Sequence, residues 1–323
     1  MIQVLDGGMS TTVQDLGRFG HYHIGMPPSG AMDQFSHQVA NALVGNEPDA
    51  ATFEMTYQGA DLRFEEDAVV ALAGASMPAQ VDGEDVPMYE AVRVEAGEEL
   101  TTEFATEGAR TYLAVAGGID VPEVMGSRST YTLVGIGGYE GRTLREGDTL
   151  AVGDAAADPE TAIGNVAPDE HLEEVVNGDR IEIVVGLCDY RLTDESRERL
   201  CEVEWKVTPE ADRVGYRLDG PELDFVEREQ PFGAGTDPSN VTDVGYPIGS
   251  IQLPQKPIVL MQDAVTGGGY ATVGTVISAD RNVLAQRRTH ETITFDAVTV
   301  EEALEARQAM QADLDAIRDA LGQ

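Results

Sequence analysis

The sequence predicts a mainly β fold, because short apolar runs bounded by turn residues recur along most of its 323 residues. The chain carries 35 glycines, many of them in the turns between these runs. Frequent short strands with such turn signals favour a β-barrel or a β-sandwich over alternating βαβ units. The clearest strand candidates are residues 69–72, 111–115, 180–185, 257–261 and 292–295.

Three segments show helical periodicity instead. In the first, apolar residues recur at helical spacing from Met32 to Leu43, and a glycine follows as a stop signal. The second is a short helix predicted over residues 193–200. The third closes the chain, where Thr299 and Glu302 form a capping box ahead of apolar residues on one helical face.

A boundary between two domains is predicted in the segment 154–178, which is rich in Ala, Asp, Glu and Pro and lacks periodicity. It divides the chain into two β-rich halves of similar length. We therefore assign an N-terminal domain to residues 1–155 and a C-terminal domain to residues 176–323. The second domain is expected to end in the helix that closes the chain.

The charge of the chain is strongly negative, with 58 acidic against 21 basic residues and a net charge of −37. Such a charge repels nucleic acid, which we exclude as a partner. The acidic surface either recruits a cationic partner or adapts the protein to high salt, in which carboxylates keep the surface hydrated. Because the acidic residues are spread along the whole chain, we favour the second explanation and expect a halophilic protein.

The sequence also argues against secretion and membrane insertion. No run approaches the roughly 18 consecutive apolar residues of a membrane-spanning helix. The N-terminus lacks a basic region followed by an apolar stretch, so no secretory signal is predicted. The two cysteines, Cys188 and Cys201, show neither a metal-binding spacing nor a disulfide framework. We expect a cytoplasmic protein without a metal site.

The first chemically interesting segment is 11–18, where Gln14, Asp15 and Arg18 lie close together beside a glycine. An amide, a carboxylate and a guanidinium in this arrangement can position a planar amide or carboxylate substrate. The alternative is a polar turn in which Arg18 pairs with Asp15. The residue types alone favour the turn.

The first helix and the strand after it carry further polar candidates. Asp33, His37 and Asn41 follow one another at four-residue steps, opposite the apolar face of the helix. They either line a cleft or form an ordinary solvated face. Glu54 lies between two apolar residues of a predicted strand, as either a buried functional carboxylate or an outward one.

In the second half, Asp212, Arg213, Tyr216 and Arg217 surround a glycine. Arginine forks suit carboxylates and phosphates, although surface ion pairing explains the same residues. If a strand carries this segment, the two arginines lie on one face and Tyr216 on the other. They would then hold one anionic ligand together.

A glycine-rich loop is predicted at residues 263–270, directly after an apolar strand. Consecutive glycines allow backbone amides to approach an anion closely. No phosphate-binding loop ending in Gly-Lys-Ser/Thr is present, and no GxGxxG opens a helix. We therefore expect any ATP to be bound with another subunit.

Several motifs occur together and in order along the chain. They are TTVQDLGR at 11–18, PSGAMD at 28–33, ANALVGN at 40–46, YLAVAGGIDVPEVMGSRST at 112–130, GIGGYEGR at 135–142, DRVGYRLDGP at 212–221, PIVLMQDAVTGGGY at 257–270 and VISAD with LAQ at 276–286. The series closely resembles the allophanate hydrolase subunit 2 family. This family is also called KipA-like or biotin-dependent carboxyltransferase, and the C-type subunit of 5-oxoprolinase is its main bacterial member.

The resemblance implies two cyclophilin-like β-barrel domains with a few short helices. It also implies ATP-dependent opening of 5-oxo-L-proline to L-glutamate. The partners would be a KipI-like B-type subunit and a lactam-hydrolase-like A-type subunit, with ATP bound together with a partner. The chain alone would be inactive.

The resemblance further implies a set of site residues. Asp33 and Asp263 are the catalytic candidates, with proton handling as their expected role. The substrate-binding candidates are Gln14, Asp15, Arg18, Ser29, Asn41, Glu54, Asp212, Arg213, Tyr216, Arg217, Thr266, Gly268, Gly269 and Tyr270. The family's glycine loop usually reads QTTGGYP, whereas residues 265–271 are VTGGGYA. We expect this departure to affect which substrate is bound rather than which fold is formed.

Two other functions are compatible with the same family. The chain would act as the carboxyltransferase component of a urea carboxylase or allophanate-type complex, or as a non-catalytic regulator that binds a KipI-like kinase inhibitor. In the first case biotin must arrive on another protein, because neither Lys206 nor Lys256 lies between methionines.

Overall fold

The computed structural model describes residues 1–172 and 178–323. The chain forms two compact units. The first contains Met1–Arg18, Ser29–Asn177 and Met310–Gln323, and the second contains Phe19–Pro28 and Gly178–Ala309. Each unit thus includes a segment that is distant in sequence from the rest of it. The predicted start of the C-terminal domain, residue 176, lies outside the described residues, and the predicted domain limits remain a prediction.

The strands of the first unit form two sheets. They are β1 Ile2–Asp6, β2 Thr11–Gln14, β3 Thr52–Thr56, β4 Asp61–Phe64, β5 Ala68–Ser76, β6 Ala79–Val81, β7 Glu84–Val86, β8 Ala91–Val94, β9 Glu99–Thr102, β10 Glu107–Val115, β11 Ile119–Asp120 and β12 Thr149–Val152. One sheet has the order β11-β12-β1-β4-β9-β6-β7, and the other has the order β2-β3-β10-β5-β8.

Apolar side chains from both sheets form a common core. Val4 and Leu62 of the seven-stranded sheet share one buried cluster with Phe53 and Leu113 of the five-stranded sheet. The opposite face of the five-stranded sheet packs on the first helix, since Tyr112 clusters with residues of that helix. Strand β10 is therefore covered on both faces, which explains why its second half, from Tyr112 to Val115, is continuously apolar.

The second unit contains a closed barrel. Its strands are β13 Arg180–Val185, β14 Trp205–Val207, β15 Gly215–Asp219, β16 Asn240–Gly245, β17 Ser250–Gln252, β18 Ile258–Leu260, β19 Gly267–Tyr270, β20 Thr272–Val276 and β21 Thr292–Ala297. The barrel order is β13-β20-β17-β18-β15-β14-β21, and parallel pairing of β21 with β13 closes it. Strands β16 and β19 form a separate antiparallel pair.

The described residues contain four α-helices: α1 Gln34–Leu43, α2 Asp194–Glu202, α3 Asp280–Gln286 and α4 Val300–Ala320. The predicted capping box is present, because the Thr299 amide donates to the Glu302 carboxylate and the Glu302 amide to the Thr299 hydroxyl, at 2.8 and 3.2 Å. Helix α3 was not predicted, since its seven residues are too few to display an apolar period.

The mainly β fold predicted from the sequence is confirmed. All five strand candidates overlap strands: three lie within longer strands, one contains a strand and one coincides with a strand. The predicted helices correspond to α1, α2 and α4. Helix α4, with 21 residues, corresponds to the helix that was predicted to close the chain. None of the helices in the described part of the chain combines the length and the apolar character needed to cross a bilayer.

Candidate functional site

A buried polar layer lies between the five-stranded sheet and α1 in the first unit. Directly paired residues of neighbouring strands project to the same face of a sheet. Thr12, Glu54 and Tyr112 pair in succession across β2, β3 and β10, and Gln14 pairs with Thr52 one step along. These polar side chains therefore share the face that α1 covers, and the register places two of the predicted site residues among them.

Glu54 is the centre of this layer. Its carboxylate accepts hydrogen bonds from the Tyr112 hydroxyl at 2.7 Å and from the Met32 amide at 2.8 Å. The Asp33 amide in turn donates to the Tyr112 oxygen at 2.8 Å. Burial, followed by the charges of Glu54 and Asp33, raises the pKa of Tyr112 well above its ordinary value. The hydroxyl therefore stays protonated and remains a donor to the carboxylate.

Asp33, a predicted catalytic residue, caps the helix that covers this layer. Its carboxylate accepts hydrogen bonds from the Ser36 amide at 2.9 Å and from the Ser36 hydroxyl at 2.6 Å. A side-chain oxygen at the N-cap satisfies amides that have no partner within the helix. Asp33 is also fully buried. In this structure its hydrogen bonds serve the start of α1.

His37 and Asn41 lie on the same side of α1 and are fully buried, so the solvated-face alternative is wrong. His37 contacts the Thr52 hydroxyl at 3.0 Å and the Pro48 carbonyl oxygen at 3.2 Å through its two ring nitrogens. Burial lowers the pKa of His37 to about 4, although nearby carboxylates oppose this shift. The ring is therefore neutral at physiological pH. The Asn41 amide donates to the Ala50 carbonyl at 2.8 Å.

Asp15 and Arg18 both hold the segment 124–129. The Asp15 carboxylate accepts hydrogen bonds from the Ser127 hydroxyl at 2.7 Å, from the Arg128 amide at 2.5 Å and from the Ser129 hydroxyl. The Arg18 guanidinium donates to the Ser129 carbonyl. Residues Ser127 and Ser129 belong to the predicted motif 112–130 but were missed as partners, because they are more than 100 positions away.

Gln14 and Ser29 each have a buried side-chain oxygen with hydrogen-bonding capacity to spare. The Gln14 amide nitrogen donates to the Thr12 hydroxyl at 2.9 Å and to the Thr130 carbonyl at 3.2 Å. Within the described residues, however, neither the Gln14 Oε1 nor the Ser29 Oγ has a hydrogen-bond partner, although both are buried. A buried polar atom without a partner costs about 1–3 kcal/mol. Such atoms are candidates for ligand contacts.

In the second unit, the predicted arginine segment, residues 212–217, begins before β15 and ends within it. Arg213 lies before the strand and binds Asp263 through two hydrogen bonds, of 2.8 and 3.2 Å. The Arg217 side chain is exposed on β15, whereas Tyr216 is buried and donates to the Ala285 carbonyl at 3.1 Å. Asp212 accepts from two amides of the turn before the strand. Arg213 and Asp263 thus form an internal ion pair, which explains their presence in this segment without a ligand.

The prediction of a glycine-rich loop is wrong for residues Gly267–Tyr270. They form strand β19, which pairs with β16. None of its three glycines has a positive φ, so they do not form the alternating backbone nest that surrounds a phosphate. Gly268 is needed for another reason. A Cβ at this position would lie 3.0 Å from the Tyr246 ring. The Tyr246 hydroxyl also bonds both backbone groups of Tyr270, at 2.7 and 3.1 Å.

The remaining candidate, Thr266, immediately precedes β19, and its carbonyl accepts from the Tyr246 amide at 2.9 Å. Among the residues that the structure describes, no group of three or more His, Cys, Asp or Glu side chains is placed to hold a metal ion. The predicted site residues thus belong to two separate sets, one in each unit, and each set is tied to its own unit by hydrogen bonds.

Known proteins share this fold and much of this sequence. The family model of the carboxyltransferase domain, subdomains A and B, matches residues 24–297. The chain is 38% identical to the C-type subunit of the Escherichia coli (strain K12) 5-oxoprolinase over 313 residues, or 96% of each chain. It is 34% identical to the corresponding 5-oxoprolinase subunit of Haemophilus influenzae over 98% of both chains.

Larger enzymes contain a similar region. The urea amidolyase of Lachancea kluyveri is 31% identical over 98% of this chain, which is 18% of that protein. The crystal structure of the K. lactis urea amidolyase superposes with a TM-score of 0.92 and 31% identity, covering 98% of this chain and 20% of that one. The resemblance inferred from the motifs is confirmed. This chain belongs to the carboxyltransferase domain, subdomain A and B, family.

Proposed function

We propose that this chain acts as the C-type subunit of an ATP-dependent 5-oxoprolinase, which hydrolyses 5-oxo-L-proline to L-glutamate. The observation that carries this proposal is the 38% identity to the E. coli C-type subunit over 96% of both chains. The hydrolase acts as a complex in the cytoplasm, and its partners are a KipI-like B-type subunit and a lactam-hydrolase-like A-type subunit. The chain alone is inactive.

The chain's own contribution is to hold and orient the lactam. A lactam resists hydrolysis because amide resonance is lost on the way to the transition state, so correct positioning of the reacting groups is worth several kcal/mol. Gln14 and Ser29 are the best supported contacts, since each has a buried oxygen free to bond a ligand. Asp33 and Asp263 remain the proposed proton-handling groups, and each must exchange an existing hydrogen bond to do so.

ATP is not assigned to a site on this chain. The glycines of β19 do not fit a phosphate, because none adopts the left-handed conformation of a phosphate-binding nest. We assign the nucleotide to a site completed by a partner.

A second candidate function is the carboxyltransferase reaction of a urea carboxylase-type complex. It is favoured by the TM-score of 0.92 with the K. lactis urea amidolyase. In that case carboxylated biotin reaches this chain on another protein. The identity to that structure is 31%, which is lower than the identity to the E. coli 5-oxoprolinase protein.

Reconstitution distinguishes the two functions. The purified chain, the partner subunits from the same source and ATP are incubated with 5-oxo-L-proline, or with urea, bicarbonate and a biotinylated carrier protein. Glutamate, urea and ADP are measured. Glutamate that appears only when all subunits are present supports the proposal. Turnover of 5-oxo-L-proline by the chain alone, or biotin-dependent consumption of urea, contradicts it.

A matched pair of variants tests the lactam contact. Gln14→Met keeps the length of the side chain but removes its amide, and Gln311→Met makes the same change on the exposed surface of α4. We expect the first to lower turnover by about ten- to a hundredfold and the second to leave it unchanged. Assays are run below the melting temperature of both variants, so that a loss of stability is not mistaken for a loss of activity.

A further inference from the structure

A cavity in the second unit has none of the predicted site residues in its lining. Its volume is about 450 Å³, and its walls include Val184, Leu187, Ile248 and Ile277. Binding pockets for small molecules typically measure about 300–1,000 Å³ and are mostly apolar with a few polar groups. The size and lining of this cavity therefore fit a small organic ligand.

One charged side chain, Arg281, lines this cavity. Its guanidinium forms no ion pair or hydrogen bond with any residue that the structure describes. Arg281 is the second residue of α3. A guanidinium that is partly removed from water needs a compensating anion or hydrogen-bond acceptor. The chain has 58 acidic residues, yet none that the structure describes fills this role.

Three further groups surround this guanidinium. Burial lowers the pKa of Arg281, Tyr22 opposes this shift, and Arg307 adds a smaller lowering effect. Tyr22 interacts with Arg281, and the backbone of Ile248, a residue that lines the cavity, lies near the Tyr22 hydroxyl. Burial raises the pKa of Tyr22, so its hydroxyl stays neutral. Ser278 adds a second hydroxyl to the lining.

We propose that this cavity binds a small carboxylic acid with a compact apolar body, whose carboxylate is held by Arg281 and whose body contacts the aliphatic walls. Arginine presents a planar fork of donors that matches a carboxylate. The apolar walls favour an organic acid over inorganic phosphate, because phosphate carries no apolar surface to bury. The hydroxyl of Ser278, which lines the cavity, is available to bond a polar atom of the ligand.

The site stands on the cavity and on Arg281, and it does not depend on the proposed enzymatic function. If the chain belongs to a 5-oxoprolinase, 5-oxo-L-proline belongs to this ligand class, since it is a five-membered ring bearing a carboxylate. That identification rests on the proposed function. The test therefore uses binding to the chain alone, which requires neither ATP hydrolysis nor partner subunits.

The probe is cyclopentanecarboxylate, a five-membered carbocycle with one carboxylate. Binding to the full chain is measured by isothermal titration calorimetry at constant ionic strength. Inorganic phosphate tests for a bare anion site, and 2-pyrrolidinone tests for a ring without a charge. We expect cyclopentanecarboxylate to bind more tightly than either of them. No binding of this probe, or equal binding of either comparison compound, overturns the proposal.

Three variants assign the binding to this cavity. Arg281→Gln is expected to weaken cyclopentanecarboxylate binding by about ten- to a hundredfold. Ala303→Phe fills the cavity from α4 while retaining Arg281, and it is expected to abolish binding. Arg180→Gln removes the same charge from the exposed surface of β13 and is expected to change nothing.

Melting curves accompany each titration. If Arg281→Gln does not fold, Ala303→Phe decides the outcome. Unchanged affinity in a folded Arg281→Gln or Ala303→Phe variant overturns the proposal, as does an equal loss in Arg180→Gln.

Discussion

His37 makes the stability of this protein depend on pH between about 6.5 and 4. Its ring is fully buried, and burial lowers its pKa from 6.5 to about 4. The unfolded chain therefore binds a proton in this interval that the folded chain does not bind. The sign follows directly: the stability is fully present above the unfolded pKa of 6.5 and is lost as the pH falls through the folded pKa.

The magnitude follows from the two pKa values. One pKa unit corresponds to about 1.4 kcal/mol, so the interval from 6.5 to 4 is worth about 3 kcal/mol of unfolding free energy. Between about pH 7.5 and about pH 4.5 the loss is about 2.5 kcal/mol. Carboxylates also titrate near the lower limit, so a comparison with a variant is needed to isolate the histidine.

The perturbation is His37→Gln, which keeps a polar side chain but cannot be protonated. Urea unfolding is followed at the two pH values in the same salt for wild type and variant. We expect the variant to be less stable at neutral pH, because it loses contacts to Thr52 and Pro48. Its further loss on acidification should be smaller than that of wild type by about 2.5 kcal/mol.

The control is His23→Gln, the same substitution at an exposed position. It should lose as much stability on acidification as wild type does. Equal losses in wild type and His37→Gln would refute the argument, because they would mean that the buried ring does not stay neutral in the fold.

Three further predictions concern stability. With a net charge of −37, the melting temperature should rise as KCl is increased from about 0.1 to about 2 M, because screening reduces self-repulsion; a salt-independent value would contradict the halophilic explanation. Arg213→Lys removes one of two bonds to Asp263 and should cost about 1.5–3 kcal/mol in urea unfolding, whereas Arg180→Lys should cost almost nothing. Gly268→Ala places a Cβ against Tyr246 and should lower stability by about 1–3 kcal/mol; a melting temperature equal to that of wild type would show that the ring yields freely.

Periodicity and turn chemistry determined much of the local structure. The strand predicted at 180–185 coincides with β13, and the capping box at Thr299 starts α4 as expected. These signals are readable because their causes are local: alternating side chains, helical spacing and a side-chain bond three residues away. The series of motifs, read together, also led to the correct family.

Tertiary contacts decided which polar residues are buried. Helical spacing placed Asp33, His37 and Asn41 on one face of α1, but it could not say what covers that face. The sheet places Thr52 and Glu54 against that face of α1, so the three helix side chains are buried. Because a helical period reports only which residues share a face, the partners of that face had to come from strands that pair through long-range contacts.

The same reason explains the other differences. Gly267–Tyr270 reads as a loop in isolation, yet pairing with β16 makes it a strand, and the Tyr246 ring requires the glycine. Arg281 carries no local signal of function, because its cavity combines side chains from residue 184 to residue 303. The sequence by itself determined the strand-rich class, the start of α4 and the family. Only the tertiary structure decided which charges lie in dry surroundings and which find partners, because burial depends on residues that are distant along the chain.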